Sequence, residues 1–153
     1  IGQVETWGID AILAAENILV PGLAFDGNVS WIDATITDNP LNPALEGNRF
    51  PRVPEWRANA SLRYRVSPML DLAANFRHQS TPERNLENSA NSRCDTYYCV
   101  SPFSFVDLKS SLHFARFDLD LGVDNLLDEK AFVFHPYPGR TVVASLRWTG
   151  GGQ

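Results

Sequence analysis

The residues able to do chemistry are few and scattered. His78, His113 and His135 fall in three separate segments, and a metal centre needs ligands that converge, so each reads as a histidine of a polar face or loop. Asp118, Asp120 and Asp124 form a carboxylate row along one strand face, about 7 Å from the first to the second and about 13 Å from the second to the third. Arg57, Arg63 and Arg65 form a basic row on another strand. Both rows read as solvated polar walls, with cation binding the alternative for the carboxylates. Cys94 and Cys99, with four residues between them in a polar stretch, read as a small disulfide ring formed in an oxidising compartment. Zinc would want a second pair of Cys or His nearby, and none is present. Arg84, Arg93, Tyr97 and Tyr98 surround those cysteines; Arg and Tyr suit anionic, aromatic ligands, and a merely solvated loop is the competing reading. No Ser–His–Asp set, phosphate-binding glycine loop or nucleophile elbow is discernible, so the chain reads as non-enzymatic and without a cofactor.

The elements that position these residues are strands. Trp56 to Val66 alternates without a break: Trp56, Ala58, Ala60, Leu62, Tyr64 and Val66 face one way, Arg57, Asn59, Ser61, Arg63 and Arg65 the other. Only a period of two does this. Eleven residues in a strand reach roughly 35 Å, about twice the usual globular strand. Six more segments repeat the pattern, at about Val4–Glu16, Leu23–Thr37, Met69–Gln79, Phe105–Phe114, Phe117–Leu126 and Arg140–Trp148. No convincing helix emerges. The expected fold is all-β: an antiparallel up-and-down meander of about seven long strands.

The links alternate in length. Asn17–Gly22, Ser67-Pro68 and Ala115-Arg116 are short; Asp38–Glu55, Thr81–Ser104 and Leu127–Gly139 are long. A meander whose two ends face different compartments has this signature, and links longer than fifteen residues suggest functional loops. With 153 residues and a net charge of −5, one domain is expected and a nucleic-acid partner is not. No apolar run is long enough for a membrane-spanning helix, but barrel strands escape such a scan. The chain begins at Ile1 with no signal peptide, which reads as a processed product or a fragment.

Alternation alone suits a soluble sheet on a core as well as a barrel wall on lipid. Three features favour lipid. The strands are long. Trp7, Trp31, Trp56, Phe76, Phe114, Phe117 and Trp148 collect near strand ends, as interfacial girdles do. The apolar faces are also rich in Ala and Gly, weak filling for a close-packed core.

Two stretches add a resemblance. Asp124-Asn125-Leu126-Leu127-Asp128-Glu129-Lys130-Ala131-Phe132, then Tyr137-Pro138-Gly139-Arg140-Thr141 and a final strand, resemble the C-terminal end of the TonB-dependent outer-membrane receptors. Asn48-Arg49-Phe50-Pro51-Arg52-Val53-Pro54 is similar to that family's loop ending in Val-Pro, and Trp7-Gly8-Ile9-Asp10-Ala11 to its Gly-hydrophobic-Glu strand. Asn125, Leu126, Leu127, Asp128, Pro138, Gly139 and Arg140 are architectural markers in this reading, their polar side chains bonding turn backbone. The chain departs from the family in lacking a plug domain and an energy-coupling segment. It also ends in Thr149, three glycines and Gln153 rather than on an aromatic residue.

The resemblance implies the final third of a twenty-two-stranded receptor barrel. Residues 1–148 would be wall and 149–153 a flexible tail. It implies a bacterial outer-membrane location and uptake of a scarce, bulky nutrient, most often a ferric siderophore. The implied partners are membrane lipid, the rest of the barrel and plug, the TonB complex acting through the absent N-terminal part, and a metal chelate met by Arg84, Arg93, Tyr97 and Tyr98. The long links and the Cys94–Cys99 pair would be extracellular. The rival readings are a soluble β-sandwich binding module, for instance for carbohydrate, and a small porin-like barrel.

Overall fold

The computed structural model describes residues 1–89 and 96–150. Seven strands build one antiparallel sheet: β1 (Gln3–Glu16), β2 (Leu23–Asp38), β3 (Trp56–Ser67), β4 (Leu70–Gln79), β5 (Phe103–His113), β6 (Phe117–Asp124) and β9 (Thr141–Trp148). Their order, β1-β2-β3-β4-β5-β6-β9, is the expected meander, with β1 and β9 at the edges. Two features escaped the alternation. A single 3₁₀ turn covers Pro43–Leu45, and β7 (Phe132–Val133) and β8 (His135–Pro136) form a small hairpin between β6 and β9. Both are too short to carry a period.

Register keeps every strand's apolar side on the same face. One row crosses the whole sheet: Ala15, Phe25, Leu62, Ala74, Leu108, Val123 and Val142 are paired in succession. The next row, Ala14, Asp26, Ser61, Asn75 and Asp107, lies on the opposite face. Among the described residues no second large sheet covers the apolar side. Leu62, Leu72 and Leu121 each remain 42% exposed, so the soluble-sandwich alternative, which would bury them, is not the architecture.

The buried apolar residues lie at one end instead: Ala34, Ile36, Leu45, Phe105 and Ala131. Here β2 runs past the last residue that β3 pairs with, and the returning link pairs with it. Ile36 N–H donates to the Asn48 carbonyl at 2.9 Å and Phe50 N–H to the Ala34 carbonyl at 2.7 Å. Trp7, Trp31 and Trp56 cluster below this region, Trp7 edge-on to Trp31 at 4.9 Å and Trp56 tilted at 6.4 Å. Trp31 Nε1–H donates to Glu55 at 3.1 Å, and Arg49 pairs with the same carboxylate at 2.7 Å. The Trp31 bond and then the Arg49 guanidinium hold the Glu55 carboxyl below its ordinary value.

Among the described residues the opposite end joins its strands by tight turns. In the β1–β2 turn Gly22 takes φ +84°, and a Cβ there would come within 2.8 Å of the Arg65 carbonyl oxygen. Its N–H is held by Asn17 Oδ1 at 2.9 Å.

Gly22→Ala should destabilise the folded chain by about 1–2 kcal/mol from the left-handed conformation alone, read as a lower denaturant midpoint; an unchanged midpoint contradicts the turn geometry. For Glu55 the sign follows from its lowered folded pKa: its contribution is complete above the unfolded value of about 4.3 and disappears as pH falls through the folded value. Lowering the pH from about 6 to about 3 should therefore reduce the midpoint of the parent chain more than that of Glu55→Gln. Equal reductions contradict the role given to Glu55.

Candidate functional site

The three long links, 39–55, 80–102 and 125–140, leave the sheet at the same end and are stitched to one another. Arg49 N–H donates to Asn88 Oδ1 at 2.7 Å, and Asn88 Nδ2 returns a bond to the Arg49 carbonyl at 2.9 Å. Arg52 N–H donates to the Glu83 carbonyl at 2.8 Å. The second and third links meet where Val100 bridges Val133, with Tyr98 N–H on the Phe134 carbonyl and Phe134 N–H on the Cys99 carbonyl, both at 2.8 Å. The Arg52 guanidinium sits over the Phe134 ring at 5.2 Å, which ties the first link to the third.

This surface brings together only part of the expected ligand-contact set. Arg84 and Tyr98 line one cleft of about 230 Å³, together with Arg52, Glu83, Asn85, Cys99 and Val100. Tyr98 is 76% exposed and holds φ +67°. Tyr97 points elsewhere and meets the edges of Phe132 and His135 at 6.3 and 6.0 Å. Arg93 and Cys94 lie outside the described residues; Cys99 Sγ is 3.6 Å from Thr96 Oγ1. Arg52, Glu83, Asn85 and Val100 line the cleft without belonging to the contact set expected from the sequence. Among the described residues Glu83 Oε2 is buried with no hydrogen-bond partner, and Glu83 shares the cleft lining with Arg52 and Arg84. Such a mixed lining can receive a ligand that carries both anionic oxygens and a hydrogen-bond donor.

Below the cleft an aromatic stack fixes the third link to the polar face. Tyr137 stacks on Phe105 at 4.5 Å and on Phe103 at 6.3 Å. Arg77 donates to the Tyr137 hydroxyl at 2.6 Å and pairs with Asp107 at 3.0 Å. A signal for this existed in the sequence. Phe103 and Phe105 share parity with Asp107 and Lys109, so two large aromatics stand on a face that is otherwise polar.

The motif residues around the same link are densely bonded. Asn125 is buried; its Nδ2 donates to the carbonyls of Glu129 and Pro138 at 3.0 and 3.1 Å, and its Oδ1 accepts from Glu129 N–H at 2.9 Å. Leu126 N–H donates to the Val106 carbonyl, while Leu127 is exposed. Arg140 N–H donates to Asp128 Oδ1 and its Nε to the Leu126 carbonyl, both at 2.9 Å. A Cβ on Gly139 would meet Asp128 Oδ1 at 3.1 Å. These bonds join the end of β6 to the start of β9.

On the polar face Arg63, Arg65, Asp118 and Asp120 of the two charged rows are partnered. Arg63 pairs with Asp26 at 2.9 Å and Arg65 with Asp71 at 2.9 Å. Asp120 faces Lys109 at 3.6 Å and accepts from Ser111. His113 lies between Asp118 at 2.8 Å and Asp71 at 3.2 Å. His78 instead shares the apolar side with Phe76, stacked at 6.2 Å and bonded to Ser104 at 2.9 Å. Among the described residues no three metal-ligating side chains converge.

Comparison with known proteins places this wall. The model of the family described as TonB dependent receptor-like, beta-barrel matches residues 1–126, so Asp128, Pro138, Gly139 and Arg140 lie past the matched segment. No curated protein matches the sequence. Among solved structures, the siderophore receptor PiuA from Acinetobacter baumannii superposes with a TM-score of 0.78 at 18% identity, over 95% of this chain and 22% of that one. The ferric-catecholate import receptor Fiu from E. coli K12 gives 0.73 at 17%, over 95% and 21%. The ferric yersiniabactin uptake receptor FyuA from Yersinia pestis gives 0.67 at 19%, over 94% and 22%. At these identities the likeness is one of fold, and the chain spans about a fifth of each receptor's length. With its family model matched over most of its residues, the chain belongs to the TonB-dependent receptor-like β-barrel family.

Proposed function

We propose that this chain is a section of the wall of an outer-membrane transport receptor that takes up a ferric siderophore. The observation that carries the reading is the unbroken apolar row from Ala15 to Val142, none of it buried and Leu62, Leu108 and Val142 exposed, backed by a charged face. Water gives such a face no stable home; acyl chains do. Aromatic side chains at both ends of the apolar band, Trp7 and Trp56 at one and Phe117 and Trp148 at the other, fit the two interfaces. The small-porin alternative is disfavoured by strand number, since single-chain bacterial barrels are even.

In this reading the charged face looks into a lumen that a plug domain would occupy. The receptor's N-terminal part, outside this sequence, would engage the TonB complex. The stitched links face the exterior and the tight turns the periplasm. Arg52, Arg84 and Tyr98 would meet the anionic oxygens and rings of the chelate. Residues 1–148 serve as wall, and 149–153 as a tail. Cys94 and Cys99 would close a small ring beside Tyr97 and Tyr98, stabilising the fold by about 2 kcal/mol or less for so short a loop. The work is binding and passage rather than bond making.

Leu108→Arg, at the middle of the apolar row, should weaken folding into lipid vesicles by about 2–4 kcal/mol. Asn75→Arg, on the lumen side of the adjacent strand, should leave it nearly unchanged. Equal effects, or a chain that is monomeric in water without detergent, would contradict the membrane reading. For the cysteines, the unreduced chain should be lighter by two hydrogens than the reduced one in mass spectrometry. Two free thiols would rule out the pairing.

A further inference from the structure

His113 ends β5 between two carboxylates, one on each neighbouring strand. Its Nδ1 lies 2.8 Å from Asp118 Oδ1 on β6, and its Nε2 lies 3.2 Å from Asp71 Oδ2 on β4. An ionised carboxylate only accepts, while a neutral imidazole carries one N–H and one lone pair. Both contacts are therefore hydrogen bonds in one protonation state alone, with a proton on each ring nitrogen. A neutral ring must aim its lone pair at one of the two carboxylates. Water reaches the group, since 39% of the His113 side chain and 32% of Asp118 are exposed.

The surrounding charges decide which contact a neutral ring gives up. On β3, Arg65 holds Asp71 through Nε and one terminal nitrogen at 2.9 and 3.2 Å, while Arg63 on the same strand is taken by Asp26. Asp71 therefore keeps a cation whatever the ring does. Asp118 has no such second anchor. Lys109 and Ser111 on β5 both serve Asp120. Arg147 on β9 is the ladder neighbour of Asp118, and Arg116 is exposed in the β5–β6 turn, but neither pairs with it. Among the described residues His113 is the one side-chain partner of Asp118. The single proton of a neutral ring thus stays on Nδ1, facing Asp118, and the longer contact to Asp71 opens.

We propose that His113 is a proton-operated clasp between two hairpins, β3–β4 and β5–β6, at the turn end of the polar face. Doubly protonated, it bridges Asp118 of its own hairpin to Asp71 of the other. Losing a proton leaves Arg65–Asp71 on one hairpin and His113–Asp118 on the other, with no side-chain tie between them through the ring. The backbone bond from His113 N–H to the Met69 carbonyl at 2.9 Å remains, so the change loosens the rim without unzipping the ladder. The protonated ring is the bridging form, so its contribution to stability is lost as pH rises and the proton leaves. Below about pH 4 the carboxylates themselves take up protons, and the bridge is lost there too. The clasp needs only water at the polar face, so it does not rest on the transport reading.

NMR of the full chain in dodecyl maltoside micelles tests it, following histidine-ring nitrogens and aspartate carboxyl carbons from about pH 5.5 to about 9.5, a range that brackets free imidazole. The Asp71 carboxyl signal should shift with the same pH midpoint as the His113 ring and lose that shift in His113→Gln. Above the midpoint the ring should be the tautomer protonated on Nδ1, and Asp118→Asn should move that proton to Nε2. The urea midpoint of the parent should fall more between about pH 6 and about pH 9 than that of His113→Gln. Three results overturn the clasp: an Asp71 signal indifferent to the ring's titration, a neutral parent ring protonated on Nε2, or equal falls in the two urea midpoints. Sequential assignment identifies both NMR signals in the parent, so the first two results decide the matter even where a variant does not fold.

Discussion

Residues that face each other across an antiparallel pair share a side of the sheet, and everything else in this molecule depends on that parity being kept across six successive pairings. A slip of one residue in any ladder would turn every later strand inside out. Turn chemistry holds the phase at one end. Gly22 lets the β1–β2 turn close against the Arg65 carbonyl, and Met69 N–H is held by Ser67 Oγ at 3.2 Å where the β3–β4 register shifts. Charge holds it across the polar face. The Arg65–Asp71–His113–Asp118 chain spans β3 to β6 and would be broken by any shift.

A wall of this kind has no core in the usual sense. Each face is wet by a different solvent in the membrane reading, so the close-packed part of the chain is displaced to the loop end. There Ile36 and Leu45 pack under one link, and Phe105 and Tyr137 under another. The consequence for function is that the loops are rigidified by their own small core and by their mutual stitching. The cleft holding Arg52, Glu83, Arg84 and Tyr98 is lined by the first two links and braced from the third through Phe134.

What could be read in the sequence was whatever repeats. The uninterrupted alternation of Trp56–Val66, and its weaker copies, placed all seven long strands and both faces. The link lengths placed all three long loops at one end. What could not be read was whatever depends on a single contact between distant links. Nothing in the spacing of Arg52 and Glu83 foretells their shared cleft, and Tyr97 and Tyr98, adjacent in sequence, diverge because Tyr98 takes a left-handed backbone. The β7–β8 hairpin is two residues a side and leaves no period. Phe103 and Phe105 were legible in principle, as aromatics on a charged face. Their meaning required Tyr137, more than thirty residues away.

The central claim is that the two faces of one strand see lipid and water in strict alternation, and β5 tests it most directly. A nitroxide placed in turn at positions 106 to 112, in a chain with both cysteines replaced by serine and folded into vesicles, reads collision with oxygen, which dissolves in lipid, against a nickel chelate, which does not. The account predicts that labels at Val106, Leu108, Ser110 and Leu112 collide with oxygen, while those at Asp107, Lys109 and Ser111 collide with the chelate. Ser110 is the telling position, because its polarity alone would place it on the wet side, whereas its pairing with Leu72 and Leu121 places it on the apolar one. Uniform accessibility to the chelate along β5, or Ser110 behaving like Lys109, would contradict it.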